Sequence, residues 1–200
     1  MVPPSARERF DAARLINIAN GLTALRVVLV PYFAYLLISG RGKAALLVFA
    51  VCGATDALDG LLARWLRQRT LVGALLDPIA DKLLMATAFI VLSYVHIAPL
   101  RLAIMVISRD IVILTGSFLY LLLFDASDIR ATGLSKANTA VQILTVIYFL
   151  SVVAFPAEAK ALGAGARSLP DQGVTLICAV TTVASGLQYL YIGIRKLSDA

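Results

Sequence analysis

Residues 56–81 read DALDGLLARWLRQRTLVGALLDPIAD. Four aspartates, two glycines, an alanine and an arginine stand at fixed spacing in this otherwise apolar stretch. At about 100° per residue, Asp56, Asp59, Gly60, Ala63 and Arg64 fall on one helix stripe roughly 140° wide. Gly73, Asp77 and Asp81 do the same on a second helix, within about 80°. Two such helices, facing each other along these stripes, would gather four carboxylates. Ionised groups in a low-dielectric interior must be neutralised, paired or bound to metal. Lys82 follows Asp81 but sits about 100° off the stripe, so it is not placed to pair with all four. An oxygen-only donor set, with no histidine or cysteine between positions 56 and 81, suits a hard divalent ion, Mg²⁺ or Mn²⁺. Four acidic residues suit two such ions, the arrangement used in phosphoryl chemistry.

The surrounding chain says what kind of interior this is. Of 200 residues, 60% are apolar and only 15% charged, with a mean hydropathy of +0.88, whereas soluble domains carry about 25% charged residues. Intramembrane aspartates are costly and functional by default. The length suggests a single domain, residues 1–200. Cys52 and Cys178 lie in apolar runs without metal or redox spacing and read as buried small hydrophobes. The net charge of +6 fits attraction to anionic lipid headgroups in a chain this apolar, and no nucleic-acid partner is expected. MVPPSARERFDAARLIN is charged and lacks a short apolar core, so no cleavable signal is expected.

Six spanning segments are predicted: about 22–38, 43–66, 73–94, 100–124, 135–155 and 174–194. The second and third each span roughly 20 residues, enough for a bilayer core of about 30 Å. Residues 5–20, with Phe10, Ala13, Leu15 and Ile16 beside Arg7, Arg9 and Arg14, read as a short amphipathic helix on the membrane surface. The fold expected is therefore an all-α integral membrane protein: six transmembrane helices plus this interfacial one. Asn17, Asn20, Thr23 and Arg26 recur at spacing three, on one helix face. Arg26 either binds phosphate or snorkels to the interface. Pro78 is expected to bend or open the third helix. Arg109 and Asp110, adjacent on the fourth, do not face each other and are expected to meet different partners, either at the site or in an ion pair to another helix. Ser135 reads as the N-cap of the fifth helix. Lys136, Asn138, Thr139 and Gln142 occupy its first turns, where a phosphate would meet the positive helix end; a polar interfacial start is the plainer reading. Residues 156–173 read as a loop, and His96, the only histidine, as a surface group.

Lysine and arginine set the orientation. With both termini cytoplasmic, that side holds Arg7, Arg9, Arg14, Arg64, Arg67, Arg69, Arg130, Lys136, Arg195 and Lys196, ten in all. The other side holds Arg41, Lys43, Arg101, Lys160 and Arg167, five. The aspartate stretch then lies at the cytoplasmic leaflet, as in a bacterial inner membrane or its equivalent.

The pattern D-x2-D-G-x2-A-R-x8-G-x3-D-x3-D resembles the signature of the CDP-alcohol phosphatidyltransferases at every position, and NIANGLTALRVVLVP resembles that family's entry string. The likeness runs from about Asn17 to Gln142. It implies an integral membrane enzyme, a homodimer, that exchanges CMP on CDP-diacylglycerol for an alcohol. It implies Asp56, Asp59, Asp77 and Asp81 as metal ligands, with Asp81 also the catalytic base. It implies CDP binding by Asp56, Gly60, Ala63, Arg64 and Gly73. Thr23, Arg26, Arg109, Lys136 and Asn138 are candidates for acceptor or phosphate binding. LSYVHIAPLRLAIMVISRDIVIL and SKANTAVQ resemble eukaryotic-type cardiolipin synthases, whose acceptor is phosphatidylglycerol. Phosphatidylglycerophosphate synthases, which use glycerol 3-phosphate, tend to carry glutamate where Asp110 stands and lysine at Asn138. Phosphatidylglycerol is the preferred acceptor here and glycerol 3-phosphate the alternative. A cation transporter is the alternative from another class; it would commonly show internal repeats, and the aspartate pattern has no second copy.

Overall fold

The computed structural model describes the backbone of residues 18–66, 71–124, 132–161, 163 and 168–198, and the side chains of residues 25–55, 82–116, 132–161, 163, 168–193 and 195. These form seven helices and, among the described residues, no strand: α1 (Ile18–Ile38), α2 (Gly42–Leu66), α3 (Leu71–Tyr94), α4 (Leu100–Phe124), α5 (Gly133–Ala154), α6 (Pro156–Ala161) and α7 (Leu169–Ser198). The proposed interfacial helix lies outside the described residues, except that its last three residues already belong to α1.

Local chemistry sets the helix ends. Gly40, at φ 72°, closes α1: its N–H donates to Leu37 O and that of Arg41 to Leu36 O, the left-handed C-terminal motif that glycine adopts without a Cβ penalty. His96 closes α3 in the same way at φ 60°, with Ile97 N–H donating to Leu92 O. It is exposed there, as expected of a surface group.

Three expectations fail at helix ends. The N-cap of α5 is Thr132, whose Oγ1 accepts from Ser135 N–H; Ser135 is therefore inside the helix. Helix α7 starts at Leu169 rather than near residue 174. There Ser168 and Asp171 exchange backbone-to-side-chain hydrogen bonds at 3.3 Å, a reciprocal cap, and Pro170 sits in the first turn, where a missing N–H is harmless. Residues Pro156–Ala161, expected in a loop, form α6. Pro78 lies within the continuous helix α3 and does not open it.

Helix α1 packs against α2 and α3, α5 against α2, α3 and α7, and α4 against α3 and α7. The core between them holds Phe33, Leu36, Phe49, Phe89, Leu92 and Phe149, with Phe33 and Phe49 ring centroids 5.9 Å apart. Gly42 begins α2 against the end of α5, so closely that a Cβ there would lie 2.6 Å from Val153 O. Because α2 packs along α5 from that point, the two run in opposite directions. The half of α2 carrying Asp56 to Arg64 thus runs toward the end of the bundle where α5 begins. Only residues 67–70 separate α2 from α3, which keeps those helix ends within about 18 Å.

The surface departs from the soluble pattern, and polar groups join the apolar core. Val28, Leu47, Leu144, Leu176 and Leu187 are exposed at 61–66%, while Arg26, Arg109, Asp110, Asn138 and Gln142 are buried. Two helical stretches among the described residues, Gly133–Ala154 and Leu169–Gly193, are long and apolar enough to cross a membrane.

Candidate active site

Helix α4 buries Leu102, Ala103, Val106, Arg109 and Asp110, positions that repeat on one helical face. Two charged residues therefore enter the interior behind three apolar ones. The adjacent pair does meet, contrary to the expectation: Arg109 Nη1 donates to Asp110 Oδ1 at 2.7 Å. The side chain of arginine is long enough to fold back along its helix, and a buried guanidinium without a carboxylate would be costly. Asp110 also meets another helix, since its Oδ2 lies 2.8 Å from Lys82 Nζ on α3. Arg109 Nη2 donates to Ser135 Oγ on α5 at 2.7 Å and to Ser185 Oγ on α7 at 2.6 Å. Four helices are thus tied together by two cations that share one carboxylate.

The buried stripe of α5 continues this polarity and then loses it: Ser135, Asn138, Gln142 and Thr145 are followed by Val146, Phe149, Leu150 and Ala154. Opposite, α7 contributes Thr182, whose hydroxyl donates to Asn138 Oδ1 at 3.1 Å, and Gln188, whose Oε1 accepts from Thr132 Oγ1 at 3.0 Å. Arg109 Nε, Asn138 Nδ2 and Gln142 Nε2 are buried donors without a hydrogen-bond partner among the described residues. Three unmet N–H groups in one seam make it a place for an oxygen-bearing ligand or water.

The residues named from sequence fare differently. Asp56, Asp59, Gly60, Ala63 and Arg64 lie on α2, and Gly73, Asp77 and Asp81 on α3, but their side chains, like that of Thr23, lie outside the described residues. Among the described residues no three histidine, cysteine, aspartate or glutamate side chains are grouped to hold a metal. The fit of a divalent ion therefore rests on the chemistry of the four carboxylates themselves. Arg26 is 1% exposed, so it does not snorkel. Asn138 is fully buried, in contact with the seam just described, whereas Lys136 is exposed and outside it. Sequence reasoning missed Lys82, Thr182, Ser185 and Gln188 as members of the network. The signal was available: Thr182, Ser185 and Gln188 recur at spacing three, the spacing of Ser135 and Asn138.

Comparison with known proteins covers most of the chain. The family model for CDP-alcohol phosphatidyltransferase matches residues 16–185. Cardiolipin synthase (CMP-forming) of Homo sapiens is 34% identical over 193 residues, 88% of this chain and 62% of that protein. The chain thus spans less than two thirds of that relative. A probable phosphatidylglycerophosphate synthase of Mycobacterium tuberculosis is 34% identical over 98% of this chain and 93% of its own length. The CDP-diacylglycerol–glycerol-3-phosphate 3-phosphatidyltransferase of Escherichia coli is 32% identical over 92% of this chain and 98% of its own.

Proposed function

Because the chain belongs to the CDP-alcohol phosphatidyltransferase family, we propose that it moves a phosphatidyl group from CDP-diacylglycerol to phosphatidylglycerol, giving cardiolipin and CMP. The observation that carries the transfer is the full signature from Asp56 to Asp81, on consecutive helices inside the matched region. Asp56, Asp59, Asp77 and Asp81 would hold two divalent ions, Mg²⁺ or Mn²⁺, which would supply positive charge to offset that developing on the phosphates. Asp81 accepts the proton of the acceptor hydroxyl as its oxygen attacks phosphorus. The phosphorus–oxygen bond to CMP breaks, and CMP leaves with its phosphate. Arg64 supplies a fixed charge beside the nucleotide phosphates. Gly60 and Gly73, having no Cβ, admit the nucleotide close to the helix backbone, and Ala63 keeps that face narrow.

The polar seam supports this choice of acceptor. Arg109 and Lys82 share the one carboxylate of Asp110, which leaves the cluster a single net positive charge, and Asn138 and Gln142 offer neutral N–H donors. One surplus cation beside neutral donors suits a hydroxyl-bearing headgroup with a single phosphodiester charge more than a dianionic phosphate, which calls for several uncompensated cations. Glycerol 3-phosphate is the second reading, favoured by bacterial relatives that match over nearly their whole length.

The chain works in a membrane on this reading. Helices α1 to α5 and α7 have 21, 25, 24, 25, 22 and 30 residues, each enough for one crossing. Both termini and the active site face the cytoplasm, on the lysine and arginine balance, and the enzyme is a homodimer, on the family resemblance.

Purified protein with labelled CDP-diacylglycerol, Mg²⁺ or Mn²⁺, and each acceptor in a separate reaction provides the test. Cardiolipin formed with phosphatidylglycerol alone supports the reading; product formed with glycerol 3-phosphate alone overturns the acceptor. Asp81→Asn should lower CMP release by about 10²–10⁴-fold, the usual worth of a general base, and unchanged release removes that role.

A further inference from the structure

Lys82 follows the last signature aspartate directly, and its ammonium is engaged on a different helix. Its side chain is 30% exposed, and its Nζ meets Asp110 Oδ2 at 2.8 Å. Asp110 is in turn held by Arg109, whose guanidinium is fixed to α5 and α7 through Ser135 and Ser185. The partner that Lys82 grips is therefore rigid, bound on its other oxygen to a cation anchored on two further helices. A helix tied at one residue cannot turn about its axis without moving the next. A rotation of α3 by about 20° would carry an atom 6 Å from the axis through roughly 2 Å, and misplacements of about 1 Å can cost about 10²-fold in rate.

We propose that Lys82 is a positioning residue: its ion pair with Asp110 sets the rotation of α3 at Asp81, and hence how well the aspartates hold a divalent cation. This rests on the proposed function for the identity of the aspartate site, so the test reads metal binding apart from turnover. Mn²⁺ affinity of the full-length protein in detergent is measured by electron paramagnetic resonance for wild type, Lys82→Met, Lys82→Arg, Asp110→Asn and the Lys82→Met/Asp110→Asn double variant. CMP release and thermal unfolding are followed in parallel.

Lys82→Met and Asp110→Asn should each weaken Mn²⁺ binding by about tenfold or more, with the double variant no worse than either, because both remove one interaction. Lys82→Arg, which keeps the charge, should bind within about threefold of wild type, allowing for its different geometry. Wild-type affinity in Lys82→Met overturns the proposal. So does recovery of affinity when Lys82→Met is added to Asp110→Asn, which would mean that Asp110 merely keeps the ammonium away from the metal. Equal loss in the Met and Arg variants, with lowered melting temperatures, also overturns it, as does a wild type that binds no Mn²⁺. A wild type that binds Mn²⁺ but releases no CMP refutes the proposed function instead, and the affinities still decide the positioning role.

Discussion

Asp110 is the least replaceable member of the buried network, because two cations depend on it. Without Arg109 it still has Lys82 at 2.8 Å, and the remaining pair is neutral. Without its charge, Lys82 and Arg109 are left close together with nothing between them, where like charges repel and desolvation is uncompensated. Breaking a buried pair by removing one partner costs about 3–5 kcal/mol, and the larger figure should belong to Asp110→Asn. Thermal unfolding in detergent should show Asp110→Asn less stable than Arg109→Met; the reverse order would mean that the three groups are not coupled as drawn. At this scale sequence reasoning was half sufficient. It found Arg109 and Asp110 as residues that needed partners, but the rule that neighbours on a helix do not face each other hid their mutual bond. That rule describes short side chains well and a guanidinium on a flexible stem poorly. Lys82 was set aside for being off the aspartate stripe, although that offset is what turns it toward α4.

Helices are placed here by small residues at some contacts and polar ones at others. Gly42 and Gly186 illustrate the difference. A methyl group at Gly42 would press on the backbone carbonyl of Val153 at 2.6 Å, whereas one at Gly186 would meet only Arg109 Cγ at 3.7 Å, an ordinary contact. Gly42→Ala should therefore destabilise the α2–α5 packing by about 1–3 kcal/mol, the usual cost of overpacking. Gly186→Ala should be neutral or stabilising by up to about 1 kcal/mol through helix propensity. Melting temperatures of the two variants check the contrast, and equal effects would refute it. The long helices were legible because apolar runs of this length admit little else; the fourth was placed to the residue, Leu100–Phe124. The ends were harder. Thr132 and Ser135 both suit a cap, and only the fold decides which hydroxyl turns back to the backbone and which turns inward to Arg109.

Across the whole molecule, the aspartate signature and the buried seam were unequal in visibility. The signature stands out because carboxylates at helical spacing have few uses in an apolar chain. The seam is assembled from serines, threonines and amides that look ordinary until α3, α4, α5 and α7 are brought together. Its extent along α5 carries a consequence for the proposed lipid transfer. From Ser135 to Thr145 the helix climbs about 15 Å, roughly half the thickness of a hydrocarbon slab. Beyond Thr145 every buried side chain of α5 is a hydrocarbon. Among the described residues the buried polar stripe of α5 therefore stops near mid-depth, and on the proposed function it would admit headgroups from one side. If the proposed function holds, newly made lipid should surface on the side from which its donor entered. In vesicles holding the protein in one orientation, a fluorescent product should stay fully open to a quencher added on that side. Rapid protection of half of it would show that product crosses to the other side.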